Sequence, residues 1–115
     1  MRSPEAEAEL AALRTQVTPE NVMLLHNGLK AEATFLNAQI LLNLVPVGEP
    51  GTDLVSPQAA EAFNRKIDGL RERLTAYVDL LTLMADDMAA TARRYGHTEH
   101  EIADSFARFY SSYPR

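Results

Sequence analysis

A chain of 115 residues, 46% apolar and 23% charged, has the composition of one soluble domain with a modest core. Its net charge of −5 and pI near 5.1, with basic residues interleaved among acids as in "RKIDGLRER", argue against a nucleic-acid interface. Cysteine is absent, which excludes disulfides, thiolate nucleophiles and Cys-based zinc sites.

Residues 1–16 form an N-terminal extension. The run "SPEAEAELAALRTQ" is a fair helix former with its acids early, but too polar to be expected to do more than pack loosely. Acids stand where a general secretory signal needs an apolar stretch. The apolar runs are too short for a membrane span, so the chain is expected to be made in the cytoplasm without stable membrane insertion.

Residues 17–95 read as two long helices joined by a loop. "VTPE" at Val17 and "VSPQ" at Val55 are similar helix starts. Thr18 and Ser56 are the expected N-caps, with Pro19 and Pro57 at the first helical positions, where a missing N–H costs nothing. Val17 is placed to staple onto Val22. From Pro19, the residues Val22, Leu25, Leu29, Ala33, Leu36 and Ile40 share one face. Pro46 disfavours helix just before it, so the first helix is expected to end near Leu44. "VPVGEPGTD" reads as the loop.

From Pro57 a longer helix carries Phe63, Ile67, Leu70, Leu74, Tyr77, Leu81, Met84, Met88 and Ala92 in a heptad-like seam. With a short loop, the pair is expected to fold back as an antiparallel helical hairpin in an all-α fold. Each helix has a second apolar stripe. On the first it comprises Leu24, Ala31, Phe35, Ala38 and Leu42, with Leu41 between the two stripes. On the second it comprises Ala76, Leu80 and Leu83. A two-helix hairpin covers one stripe per helix, so these need another surface. Either a terminal extension folds over them, or a partner hairpin completes a four-helix bundle.

Residues 96–115 form a C-terminal tail. "YGHTE", from Tyr95 to Glu99, closes the long helix, and Gly96 breaks the pattern. Thr98 with Glu101 three residues on is a capping-box signature for a short helix, whose Ile102, Phe106, Phe109 and Tyr113 would line one side.

The residues offer little chemistry. His97 and His100 lie close to Glu99 and Glu101 but lack a third ligand elsewhere, so no metal site and no cofactor is expected. Asp86 and Asp87 are adjacent and point in different directions around a helix. There is no Gly-rich phosphate loop and no nucleophile motif. The chain is read as non-enzymatic.

In their order, the markers across residues 17–99 resemble the PE domain of actinobacterial type VII (ESX) secretion substrates. "PE" at Pro19 and Glu20 opens the first helix, and "LNAQ" (Leu36, Asn37, Ala38, Gln39) lies near its end. Pro46 starts the loop, and "DLVS" from Asp53 to Ser56 leads into the second helix, with Phe63 following. "YGHTE" resembles the family's Tyr-x-x-x-Asp/Glu export signal, carried by Tyr95 and Glu99. The earlier Pro4-Glu5 pair does not have the distance to "LNAQ" that Pro19 has.

The resemblance implies pairing with a PPE-like helical protein, hairpin on hairpin, and export of the folded heterodimer. It also implies reading of the signal by the type VII secretion ATPase, with a secreted or cell-surface destination. The partner would meet the second stripes, through Leu24, Ala31, Phe35, Ala38, Leu42, Leu80 and Leu83. The Tyr95 ring is expected to pack at the bundle end, Gly96 to let the chain leave the helix, and Glu99 to present an exposed charge. Two alternatives stay open: a cytoplasmic helical adaptor that homodimerises, and a divergent relative of the small Trp-x-Gly secreted proteins.

Overall fold

The computed structural model describes residues 3–44 and 56–114, and among them it is all-helical, with no strand. The expected loop, with Pro46 and Asp53, lies outside the described residues.

Helix α1 spans Pro4–Arg14. The Ser3 hydroxyl accepts from the Ala6 N–H at 3.1 Å, Pro4 occupies the first turn, and Glu5 and Glu7 sit where the helix dipole favours acids. This segment is more than a loose extension. Leu10 is fully buried, Leu13 joins the core, and α1 packs on α3. Two leucines three residues apart are enough to anchor a helix whose other faces are polar.

Helix α2 spans Val22–Asn43 and begins later than Pro19. The N-cap is therefore Asn21 and not the expected Thr18, and Thr18 instead closes the turn before the helix through a reciprocal pair with Asn21. The Thr18 hydroxyl accepts from the Asn21 N–H at 3.1 Å, and the Asn21 side-chain oxygen accepts from the Thr18 N–H at 2.7 Å. Asn21 also donates to the Gln16 carbonyl at 3.0 Å. Pro19 and Glu20 form the exposed turn between these partners. Val17 packs in the same cluster as Val22. At the other end Leu44 is the C-cap.

Helix α3 spans Pro57–Arg94, about 57 Å at 1.5 Å per residue, and so sets the 59 Å length of the molecule. The Ser56 hydroxyl caps it by accepting from the Ala59 N–H at 3.1 Å. Its core stripe runs through Leu74, Val78, Leu81, Ala85, Met88 and Ala92. The expected seam is therefore corrected at Tyr77, which is exposed, as is Phe63. The buried line passes through Val78 and Ala85, whose small side chains admit a neighbouring helix, whereas the tyrosine keeps its hydroxyl in water.

Two clusters join α2 to α3. Val22, with Leu25 and Leu29 against it, meets Met88 and Ala92. Ala33 and Ile40, with Leu36 and Leu44, meet Val78 and Leu81. Arg71 donates to the Leu44 carbonyl at 2.8 Å.

Helix α4 spans Glu99–Ser111 with the expected capping box at Thr98 and Glu101. It packs mainly on α2, with a smaller contact on α3. Ile102 enters the cluster of Leu13, Val22, Met88 and Ala92, so all four helices meet at this end.

Candidate functional site

The chain reversal between α3 and α4 is built from backbone chemistry. The Gly96 N–H donates to the Arg93 carbonyl at 3.0 Å, and the His97 N–H reaches back to the Ala92 carbonyl at 3.0 Å. These two bonds form a Schellman motif, which needs a left-handed residue just past the helix end. Gly96 supplies it with φ of 100°, a conformation costly for residues with a Cβ.

Tyr95 is the C-cap residue of α3. Its side chain is 42% exposed rather than packed into the bundle end, a correction to expectation. The physical reason is the reversal itself: α4 turns back and places Ile102 in the core at that end. Glu99, the first residue of α4, is 75% exposed, and it is paired: the Arg93 guanidinium donates to it at 2.6 Å. Arg93 was not singled out by sequence reasoning. Its signal is its place in the last turn of a helix, six residues before an acid just past a glycine. At position N3, Glu101 is held below the usual glutamate range, first by the Thr98 backbone N–H and then by the Thr98 hydroxyl.

The second stripe of α2 divides in two. Ala31 is fully buried and Phe35 half-buried, with the Tyr113 ring 6.0 Å from the Phe35 ring. Leu24, Ala38 and Leu42 are exposed, Leu24 at 64% and Leu42 at 73%. On α3, Leu80 and Leu83 are half-buried and, with Ala76, line a groove shared with Ser3, Glu5 and Ala6 at the start of α1. Both extensions therefore lie over parts of the stripes.

The positions that carry the sequence resemblance are dispersed. Leu36 packs in the α2–α3 core, Asn37 and Ala38 face solvent, and Gln39 accepts from Asn43 at 2.6 Å. Ser56 is a helix cap, and Pro19 and Glu20 lie far from Tyr95 in sequence and sit in their own turn.

The α2–α4 contact contains a polar chain that the sequence did not announce. His26 and Asn27 are each 4% exposed. His26 Nδ1 is 2.9 Å from Asn27 Oδ1, and Asn27 Nδ2 donates to Ser105 Oγ at 2.9 Å. The edge-on Phe106 ring lies 6.2 Å from His26, and Lys30 Nζ stands 4.7 Å over the same ring. Burial holds the His26 imidazole below the usual histidine range, against the smaller opposing effect of the Asn27 bond. At the far end the Tyr113 hydroxyl donates to Glu32, which pushes its pKa up to about 12. The available signal was Asn27, a polar residue adjoining an apolar stripe.

Among the described residues, no three His, Cys, Asp or Glu side chains gather to hold a metal, and no helix is long and apolar enough to cross a membrane. Comparison with known proteins finds no matching family model, no matching curated protein and no matching solved structure.

Proposed function

We propose that the chain is a non-enzymatic, partner-binding helical subunit of the PE-like kind, exported through a type VII secretion system with Tyr95 and Glu99 as its signal. In this reading α2 and α3 form an antiparallel helical hairpin, half of a four-helix bundle. The reversed order of their contacts supports that arrangement: Val22 meets Met88 and Ala92, whereas Leu44 meets Arg71. The observation that carries the export reading is that two exposed side chains flank one tight turn. Tyr95 closes α3 and Glu99 opens α4, with the Schellman turn fixing the chain between them. A rigid turn presents a short recognition motif without an ordering cost at the moment of binding.

A PPE-like helical protein is the proposed partner, and the type VII secretion ATPase the proposed reader. The exposed parts of the stripe, Leu24, Ala38 and Leu42, favour a surface that is incomplete alone. A self-contained helical adaptor is the second reading, favoured by the placement of α1 and α4 over Leu80, Leu83, Ala31 and Phe35. Co-expression with helical proteins encoded beside this chain, followed by sizing, separates the two. A one-to-one complex that Leu24→Glu with Leu42→Glu abolishes supports the first. A monomer or homodimer that ignores every such neighbour supports the second.

A further inference from the structure

Helix α4 differs from the rest of the molecule in how it is held. It contributes one buried residue, Ile102; Phe106, Phe109 and Tyr110 are half-buried, and Ala103 and Ala107 are exposed. The other bonds to α2 are polar or aromatic: Ser105 on Asn27, Phe106 on His26 and Lys30, Tyr113 on Glu32 and Phe35. Elements with few buried apolar contacts open at lower free energy than the core, and they can open separately. The hinge is already a turn, with Gly96 in a left-handed conformation and α3 completed by its own cap.

His26 sits at the middle of this contact, where a proton has nowhere favourable to go. Its ring is buried, and the Phe106 face that would receive a cation already carries Lys30. The charged groups that act on it are Lys30 on its own helix, which opposes a second cation, and Asp86 on α3, which favours one. Asp86 is exposed, so water screens its attraction. From α4 His26 meets the Phe106 ring, which does not titrate, and the Ser105 hydroxyl is reached through Asn27.

We propose that α4 is an acid-released strap: it closes over the Ala31–Phe35 face of α2 and swings away at Gly96 when His26 takes up a proton. The strap is closed while His26 is neutral. Undocked, the imidazole regains water and an ordinary affinity for protons, so acid favours the open state. Because the docked value lies below the undocked one, docking is at full strength above about pH 6.5. It weakens by up to about tenfold for each pH unit below that, until the docked imidazole itself titrates. The consequence that opening bares a partner-binding face rests on the proposed function; the release does not.

Amide hydrogen exchange on the full chain at pH 7.5 and 5.5, corrected for intrinsic rates, tests it. The expected result is loss of protection in residues 102–110 at pH 5.5 by up to about tenfold, with α2 and α3 unchanged. In His26→Gln, α4 protection no longer responds to pH in this range. Equal α4 protection at both pH values in the wild type overturns the strap, as does the same acid response in His26→Gln, or loss of α3 protection together with α4. Should His26→Gln not fold, nuclear magnetic resonance titration of the wild-type His26 ring decides. Its midpoint coincides with the loss of α4 protection, or the strap is not gated by this residue. A strap that opens while no partner binds counts against the proposed function and leaves the strap standing.

Discussion

Glu99 and Arg93 form an ion pair across the turn between α3 and α4. Their ion pair is short but mostly in water, and exposed pairs contribute about 0–1 kcal/mol. Losing Glu99 therefore changes little in the fold, which makes it a clean position for a recognition test. The core residues behave oppositely. Met88 is fully buried and Leu81 nearly so, and truncating either to alanine is expected to cost about 2–5 kcal/mol. Tyr77→Ala, on the same helix and exposed, is expected to cost far less. Urea unfolding followed by far-UV circular dichroism checks the contrast. Equal midpoints for Met88→Ala and Tyr77→Ala would mean that the stripe through Val78 and Ala85 is not the core.

The start of α3 was legible in the sequence, because Ser56 and Pro57 are strong local signals. So was the α4 start, where Thr98 and Glu101 form the expected box. Helix α2 begins three residues past the expected Pro19, because Thr18 and Asn21 close a turn on each other before it. Helix α1 was legible as a helix but not as a packed one. Whether Leu10 and Leu13 find a core depends on a groove that only the folded α3 supplies. The rotation from Tyr77 to Val78 was invisible for a similar reason. Heptad and 3.6-residue patterns drift apart along 38 residues, and the choice between neighbouring stripes is made by packing.

At the candidate site, Tyr95, Gly96 and Glu99 were legible as a motif, whereas Arg93, His26 and Asn27 acquire their roles through tertiary contact. The segment just past α4 carries a group expected to respond to alkali. The Tyr113 hydroxyl donates to Glu32 and titrates near 12 rather than 10. A group whose folded pKa is raised stabilises the docked state below the undocked value, and that contribution is lost as pH rises from about 10 through about 12. That segment is expected to loosen across this window in the wild type, and Tyr113→Phe to remove that alkaline step. Tyrosine near-UV circular dichroism reads the difference. The same alkaline step in Tyr113→Phe would assign it to another group.

Across the described residues, α2 and α3 supply most of the core, and the two shorter helices add Leu10, Leu13 and Ile102 to it. Leu24, Leu41 and Leu42 stay in water, while Ala31 is buried and Phe35 meets the Tyr113 ring just past α4. Burying exposed leucines against a partner contributes about 1.5–3 kcal/mol each, so a few such residues suffice to bias assembly.

The most direct measurement of the central claim is export of the Glu99→Gln variant beside the wild type in a host with a type VII secretion system, each co-expressed with its partner. The account predicts that the wild type leaves the cell. It predicts that Glu99→Gln accumulates inside with unchanged partner binding and with stability altered by less than about 0.5 kcal/mol. Export of Glu99→Gln at the wild-type level, or retention of the wild type itself, would contradict it.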